Sequence, residues 1–145
     1  MPTRQQDLGW VLDQLLTVEP DVQFAVAVSA DGLVLAHSTG IERDDADRLA
    51  AIISGMSALS GRMCHDADGQ AVIHTVITMV DRVALIIGIP GPVAGALVAV
   101  TNTGAPNIGR VGFACAELVQ RLGHTLATAP ASPVPHAVPT VHARQ

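Results

Sequence analysis

The spacing of apolar residues along the chain switches between the period of an amphipathic helix and the period of a strand. Apolar side chains recur every three or four positions in three stretches, 8–16, 49–63 and 108–126. This spacing predicts three helices. Asp7 and Asn107 are expected to cap the first and third helices. Pro20 stops the first helix, and the acidic residues within 43–47 favour the start of the second.

Five further stretches have the composition and alternation typical of strands. They are 22–28, 33–38, 70–80, 83–89 and 95–101. The turns between neighbouring strands are short, which favours antiparallel pairing. The predicted order is α-β-β-α-β-β-β-α, an α+β fold with a five-stranded antiparallel sheet. Because residues 83–87 are apolar on both faces of their strand, we expect helices on both faces of the sheet, two on one and one on the other.

The C-terminal end of the chain differs from the rest in composition. Four prolines fall within residues 130–139, in a stretch without a periodic apolar pattern. We therefore expect one domain over residues 7–127 and a Pro-rich, disordered tail over 128–145. Such a tail buries little surface, so its removal should leave the melting temperature nearly unchanged.

Charge and composition narrow the classes of function. The 145 residues carry a formal net charge of −5, and all eight basic residues are Arg. A chain without Lys has no Walker-type phosphate loop and no lysine nucleophile. With an acidic balance and few aromatic rings, it is also poorly suited to bind nucleic acid. We expect no cofactor.

The chain is strongly apolar for its size. Hydrophobic residues make up 49% of it and charged residues only 14%. This excess predicts that part of the surface is buried against a partner. The longest apolar run, 83–100, is interrupted by Gly and Pro, so we expect no membrane insertion. The start of the chain lacks a signal-peptide pattern, and there are only two cysteines, so the expected location is the cytoplasm.

A helical-wheel projection of the predicted middle helix shows two stripes of residues. Larger apolar residues form one stripe and are expected to pack on the sheet: Leu49, Ile52, Ile53, Met56, Leu59 and Met63. Small residues form the other stripe: Ala51, Ser54, Gly55, Ala58 and Gly61. Gly within a helix costs about 1 kcal/mol relative to Ala, and close approach of a second helix would offset that cost. We predict such a contact; the abundance of Ala and Gly throughout the chain is the alternative explanation.

Residue types suited to catalysis or metal binding occur, but without the spacing that such sites need. The cluster within 64–68 contains Cys, His and Asp, yet it has neither CxxC nor HxxxH spacing. Ser29, Asp31 and His37 could supply a nucleophilic triad, but Ser29 and Asp31 flank a hairpin turn and no GxSxG motif is present. The carboxylates within 44–47 are best explained as helix-start residues. We therefore expect neither a catalytic site nor a metal site.

The element order and three segments resemble the roadblock/dynein light-chain domain family. Residues 26–36 are similar to the family's first hairpin, residues 49–56 to its central helix, and residues 107–109 to the start of its last helix in bacterial members. The likeness covers about residues 7–127. It is strongest to the roadblock-type proteins of conservon operons in high-GC bacteria.

This resemblance implies a homodimer whose sheet continues across both copies, with the central helices side by side. The predicted dimer interface combines the small-residue stripe with the strand expected at the sheet edge: Ala51, Ser54, Gly55, Ala58, Gly61, Thr75, Val76 and Ile77. The resemblance also implies a small Ras-like GTPase as partner, in a signalling assembly with a sensor-kinase-like protein. We predict that Asp45, Arg48 and Arg62 face the GTPase.

The leading hypothesis is therefore a non-enzymatic regulator or scaffold of a small Ras-like GTPase. Two alternatives stay open, a small-molecule-sensing module and a purely structural dimerisation unit. A sensor needs a concave pocket with converging polar groups, whereas a flat helix of small residues favours a protein surface.

Overall fold

Three helices and five strands follow one another in the predicted order. The structure is a computed structural model that describes residues 4–92 and 94–128. The helices are α1 (Arg4–Val18), α2 (Arg43–Asp66) and α3 (Ile108–Thr128). The strands are β1 (Val22–Val28), β2 (Val34–His37), β3 (His74–Thr78), β4 (Val83–Gly88) and β5 (Ala96–Thr101). None of these three helices has the length and apolar content needed to cross a membrane.

The five strands form one antiparallel sheet in the order β2-β1-β5-β4-β3. Strand β5 is buried along its whole length because it has a neighbour on each side and helices on both faces. Val98 on β5 pairs with Val26 on β1 and with Ile86 on β4, and all three side chains belong to the core beneath α2. Strands β2 and β3 are the two edges of the sheet.

The helices cover the sheet as predicted, two on one face and one on the other. Helices α1 and α3 bury a large core that includes Leu12, Leu97 and Leu118. Helix α2 buries a smaller core on the opposite face, where Ile53 packs with Val26 and other sheet residues. The second face is the more lightly covered one, because one helix lies over a five-stranded sheet.

Several element boundaries differ from the sequence-based prediction. Helix α1 begins at Arg4, so the prediction that Asp7 caps it is wrong. A carboxylate favours the first turn as well as the cap, so its position alone does not fix where a helix begins. Strand β3 covers only 74–78 of the predicted 70–80, because its partner β4 ends at Gly88. The Asn107 cap is confirmed, since its Oδ1 accepts the Arg110 N–H at 3.0 Å.

The C-terminal boundary also moves by one residue. Helix α3 extends to Thr128, which the sequence assigned to the tail. The rest of the predicted tail, residues 129–145, lies outside the described residues.

The side of α2 that faces the sheet differs most from the prediction. Its buried residues are Ala46, Ala50 and Ile53. Continuing at the same three- and four-residue steps brings Ser57 and Ser60 to the sheet side. In the second half of the helix, the Ser60 Oγ contacts the sheet at 3.0 Å from the Thr75 hydroxyl of β3, whereas Ser57 is exposed.

The larger apolar residues of α2 consequently divide into two groups. Leu49 and Met56 pack against the core as half-buried neighbours of Ile53. The prediction that Ile52, Leu59 and Met63 pack on the sheet is wrong, because they are 57%, 71% and 73% exposed. The residues that face the sheet in this half of α2 are serines, which leaves these large side chains on a flank of the helix.

Candidate protein-interaction site

One flank of α2 and the segment before β3 expose a set of large apolar side chains, called here the α2–β3 surface: Ile52, Leu59, Met63, Val72 and Ile73. The three helical members are spaced by seven and four residues, which places them on one flank. The bond between Ser60 and Thr75 holds this flank beside the edge strand β3. Contiguous exposed apolar side chains are a feature of protein-interaction sites, which makes this surface the candidate site.

The small-residue stripe lies on the opposite flank of α2. Ser54 donates a hydrogen bond from its Oγ to the Ala30 carbonyl at 3.1 Å, so this flank lies beside the turn between β1 and β2. The other four members of the stripe are exposed: Ala51, Gly55, Ala58 and Gly61. A Cβ added at Gly55 or Gly61 would meet no atom within 4 Å. Packing within the described chain therefore does not require glycine at either position.

Strand β3 lies at the edge of the sheet and pairs only with β4. Thr75 and Ile77 face the α2 side of the sheet, where they are half-buried. Val76 pairs with Leu85, which belongs to the core on the other face, and is 41% exposed. The three β3 residues predicted for a dimer interface therefore have moderate side-chain exposure and an open backbone edge.

The charged residues predicted to face a GTPase are exposed, and they form ion pairs within α2. Arg48 pairs with Asp45 one turn earlier, and the Arg62 Nε lies 3.2 Å from the Asp66 carboxylate. Exposed pairs of this kind contribute at most about 1 kcal/mol to stability. Their charges thus stay available to a partner that approaches the helix.

The structure separates the residues that could have formed a nucleophilic triad. Ser29 donates to the Asp31 carboxylate at 2.6 Å and accepts the Leu33 N–H at 3.1 Å, which are the bonds of a turn. His37 lies at the other end of β2, where its Nδ1 is 2.8 Å from the Ser38 carbonyl. Over residues 4–92 and 94–128, no three His, Cys, Asp or Glu side chains converge as metal ligands would.

Sequence reasoning missed the exposed apolar members of the α2–β3 surface. Ile52, Leu59 and Met63 were assigned to the core because their spacing matches a core-facing stripe. The available signal is that α2 has a second stripe, Ala46, Ala50 and Ile53, which competes for the sheet and is the one that the structure buries. A helix with two apolar stripes can bury only one of them on its own sheet.

Comparisons with known proteins agree with this architecture. The family model described as "Roadblock/LC7 domain" matches residues 8–88. A roadblock/LC7 domain from Streptomyces avermitilis, solved to 1.85 Å, is 33% identical, with a TM-score of 0.62, and the match covers 79% of this chain and 96% of that chain. A second one from that organism is 25% identical, with a TM-score of 0.75 and coverages of 83% and 98%.

A more distant structure has the same fold. Myxococcus xanthus MglB is 12% identical, with a TM-score of 0.76, and the match covers 92% of this chain and 98% of that chain. No curated protein sequence matches the chain. The shared fold therefore extends well beyond the sequences that are recognisably similar.

Proposed function

Because the chain belongs to the Roadblock/LC7 domain family, we propose that it is a non-enzymatic binding protein that regulates or scaffolds a small Ras-like GTPase. The observation that carries this proposal is the exposed α2–β3 surface. Large apolar side chains beside an open sheet edge favour contact with another protein. The location in the cytoplasm and the sensor-kinase-like partner stay predictions from the sequence.

The first partner of this surface is a second copy of the chain. An antiparallel pairing of β3 with its own copy would continue the sheet and satisfy the open backbone edge. Such a copy would approach from the side of α2 that carries Leu59 and Met63, and would cover them. Contact through β3 and this flank would bring the two α2 helices together on one face of the dimer.

The GTPase would then bind across the outward sides of the paired α2 helices. This arrangement gives to the GTPase the exposed small residues such as Gly55, which the sequence predicts for the dimer interface. The ends of the helices hold the ion-paired Asp45, Arg48 and Arg62. A flat centre admits a loop of the partner, and charges around it steer association and select the partner. Since the chain has no Lys, a Walker-type phosphate loop is excluded as a means of holding the nucleotide.

The test is calorimetric titration of the 145-residue protein with small Ras-like GTPases of the same organism, each loaded in turn with GDP and with a non-hydrolysable GTP analogue. A separate titration uses GTP alone. We expect binding of the GTPase in at least one nucleotide state and no binding of free GTP. Tight binding of GTP alone would favour the small-molecule-sensing alternative. Absence of GTPase binding in both states, with self-association intact, would favour a structural dimerisation unit.

A charge-exchange variant locates the binding surface. Asp45→Arg combined with Arg48→Asp keeps the ion pair within α2 but exchanges the two charges. We expect it to weaken GTPase binding while the homodimer remains. The matched control exchanges Glu117 and Arg121, two exposed residues one turn apart on α3, and should leave affinity unchanged. Equal effects of both variants would contradict the proposed location.

A further inference from the structure

A second feature of the molecule lies at the opposite edge of the sheet from β3. A groove of about 970 Å3 runs past the end of β2, between α1 and the start of α2. Its lining residues come from four separate parts of the chain: Gly9, Trp10, Asp13, Phe24, His37, Ser38, Thr39, Gly40, Ile41, Glu42 and Asp45. Hydrogen bonds of the loop after β2 fix its shape.

Side-chain hydrogen bonds end β2 and shape the loop of the groove. The buried Ser38 hydroxyl accepts the Ala25 N–H at 2.9 Å and donates to the Thr39 carbonyl at 2.7 Å. The Asp13 carboxylate on α1 accepts both the Thr39 N–H at 2.7 Å and the Thr39 hydroxyl at 3.0 Å. These bonds hold the loop against α1 and leave the groove open beyond β2.

The groove concentrates aromatic rings in a chain that has few of them. The sequence contains three aromatic residues, and two of them, Trp10 and Phe24, line this groove. Trp10 is 63% exposed, although a lone Trp gains free energy from burial. An exposed indole face in an open groove is suited to contact a ligand.

The charges around these rings are negative. Three carboxylates line the groove, those of Asp13, Glu42 and Asp45, and no Arg does. Asp13 is bonded to Thr39 and Asp45 is ion-paired with Arg48, so Glu42 is the carboxylate left for a ligand. Glu42 directly precedes α2, is exposed, and makes no capping hydrogen bond with the helix. An indole face with carboxylates beside it attracts a cation, through the negative ring face and through ion pairing.

We propose that this groove binds an arginine-containing, basic segment of another protein. A guanidinium group stacks on an indole and forms paired hydrogen bonds with a carboxylate, so one Arg side chain can use Trp10 and Glu42 together. The groove is open to solvent rather than enclosed, which suits a segment of another protein better than a small cation that must be surrounded. This site is separate from the α2–β3 surface. It shares Asp45 with the residues proposed to face the GTPase, but its own test uses Trp10 and Glu42 and does not depend on the GTPase.

The only Trp of the chain reports directly on the groove. The probe is an acetylated, amidated peptide with three Arg residues separated by Gly and Ser, and its control carries citrulline, the neutral analogue of Arg, at those positions. We expect the Arg peptide to change Trp10 fluorescence saturably below about 1 mM, and the citrulline peptide to cause no saturable change. No saturable change with the Arg peptide would overturn the proposal.

Variants separate specific binding from general attraction to an acidic protein. Measured by anisotropy of the labelled Arg peptide, Trp10→Leu and Glu42→Gln should each raise the Kd about two- to fivefold. The matched controls are Phe113→Leu, which removes an equally exposed ring on α3, and Glu117→Gln, which removes one exposed charge; both should leave the Kd unchanged. Equal weakening by groove and control variants would overturn the proposal.

The chain's own C-terminal segment is the competing occupant, because it contains Arg144 and no acidic side chain. The full-length Arg144→Gln variant distinguishes it from an external partner. Unchanged Trp10 emission and unchanged peptide affinity would support the proposal. A shift in Trp10 emission together with tighter peptide binding would overturn it, and would assign the groove to residues 129–145.

Discussion

Arg110 at the start of α3 donates its Nε–H to the Glu19 carboxylate at the end of α1, across 2.8 Å. The two side chains differ sharply in exposure: Glu19 is 3% exposed and Arg110 is 56% exposed. The pair joins the two helices that cover one face of the sheet. A buried carboxylate is costly without a partner, so this contact compensates the burial of Glu19 and adds an ionic link between α1 and α3.

Removing the arginine should therefore destabilise the protein. Arg110→Ala leaves the Glu19 carboxylate buried without its partner, and we expect it to lower the free energy of unfolding by about 2–3 kcal/mol. Urea denaturation measures this change. The control is Arg121→Ala, also on α3 and exposed, which should change stability by less than about 0.5 kcal/mol. Equal losses in both variants would contradict a special role for the Glu19–Arg110 pair.

The buried Cys115 should make the folded state sensitive to alkaline pH. Burial, and secondarily the negative charge of Glu19, raises the pKa of the Cys115 thiol from 9.0 to about 12. Above pH 9 the unfolded chain loses this proton while the folded chain keeps it. Stability should thus be unaffected by this group below pH 9 and fall by about 1.4 kcal/mol per pH unit towards pH 12.

The composition makes this slope measurable. The chain has neither Lys nor Tyr, so the two side-chain types that most often titrate between about pH 9 and pH 12 do not mask the contribution of Cys115. Urea unfolding at about pH 8 and pH 10.5 should differ by about 2 kcal/mol. Cys115→Ala should abolish most of this difference, whereas Cys64→Ala should keep it. A wild-type slope that survives in Cys115→Ala would show that another group causes it.

Gly40, in the loop that borders the groove, has a backbone conformation that an L-residue rarely adopts. Its φ is +89°, and a Cβ added there would collide with the Gln23 carbonyl. Gly40→Ala should therefore lower the free energy of unfolding by about 1–3 kcal/mol. The control, Gly112→Ala on α3, has open space around the new Cβ and should raise stability by up to about 1 kcal/mol. The same sign for both substitutions would contradict this argument.

The layers of the fold could be predicted from sequence because they depend on local periodicity. The strand pattern of 83–87 required a sheet covered on both faces, and the structure places α2 alone on one of them. The groove could not be predicted in this way, since Trp10, Phe24 and Glu42 come together only through tertiary packing. No spacing in the sequence links those three positions.

The orientation of α2 shows a second limit of prediction from sequence. A helical wheel finds an apolar stripe but does not say whether the stripe packs on the chain's own sheet or on another molecule. Ile52 and Ile53 are adjacent, equally apolar residues, yet Ile53 is 2% exposed and Ile52 is 57% exposed. Ser57 continues the Ile53 side of the helix and makes it the less apolar side, so apolar content alone selects the wrong side for the core.

Self-association is the prediction on which the proposed function most depends. Sedimentation at micromolar concentration should give about twice the chain mass of 15.0 kDa, because self-association would bury the large apolar side chains of the α2–β3 surface. A monomer under these conditions would remove the main support for the proposed dimer. The two flanks of α2 then require separate tests, since either could contact the second copy.

Substitutions on each flank identify the contact. Leu59→Glu places a charge in the apolar flank and should dissociate the dimer, because a charge without a partner in a buried contact is costly. Gly55→Leu fills the space over the small-residue side and should weaken association by about 1–3 kcal/mol if a second helix packs there. Ala58→Arg tests the same side with a larger group. The control is Phe113→Glu on α3, which is exposed to a similar degree as Leu59.

The pattern of results decides between the two flanks. Dissociation by Leu59→Glu alone would place the contact on the α2–β3 surface and leave the small-residue side free for another partner. Weakening by Gly55→Leu and Ala58→Arg alone would place the two α2 helices against each other through their small residues. Loss of the dimer in Phe113→Glu would contradict both, because it would move the interface to the α1–α3 face of the sheet.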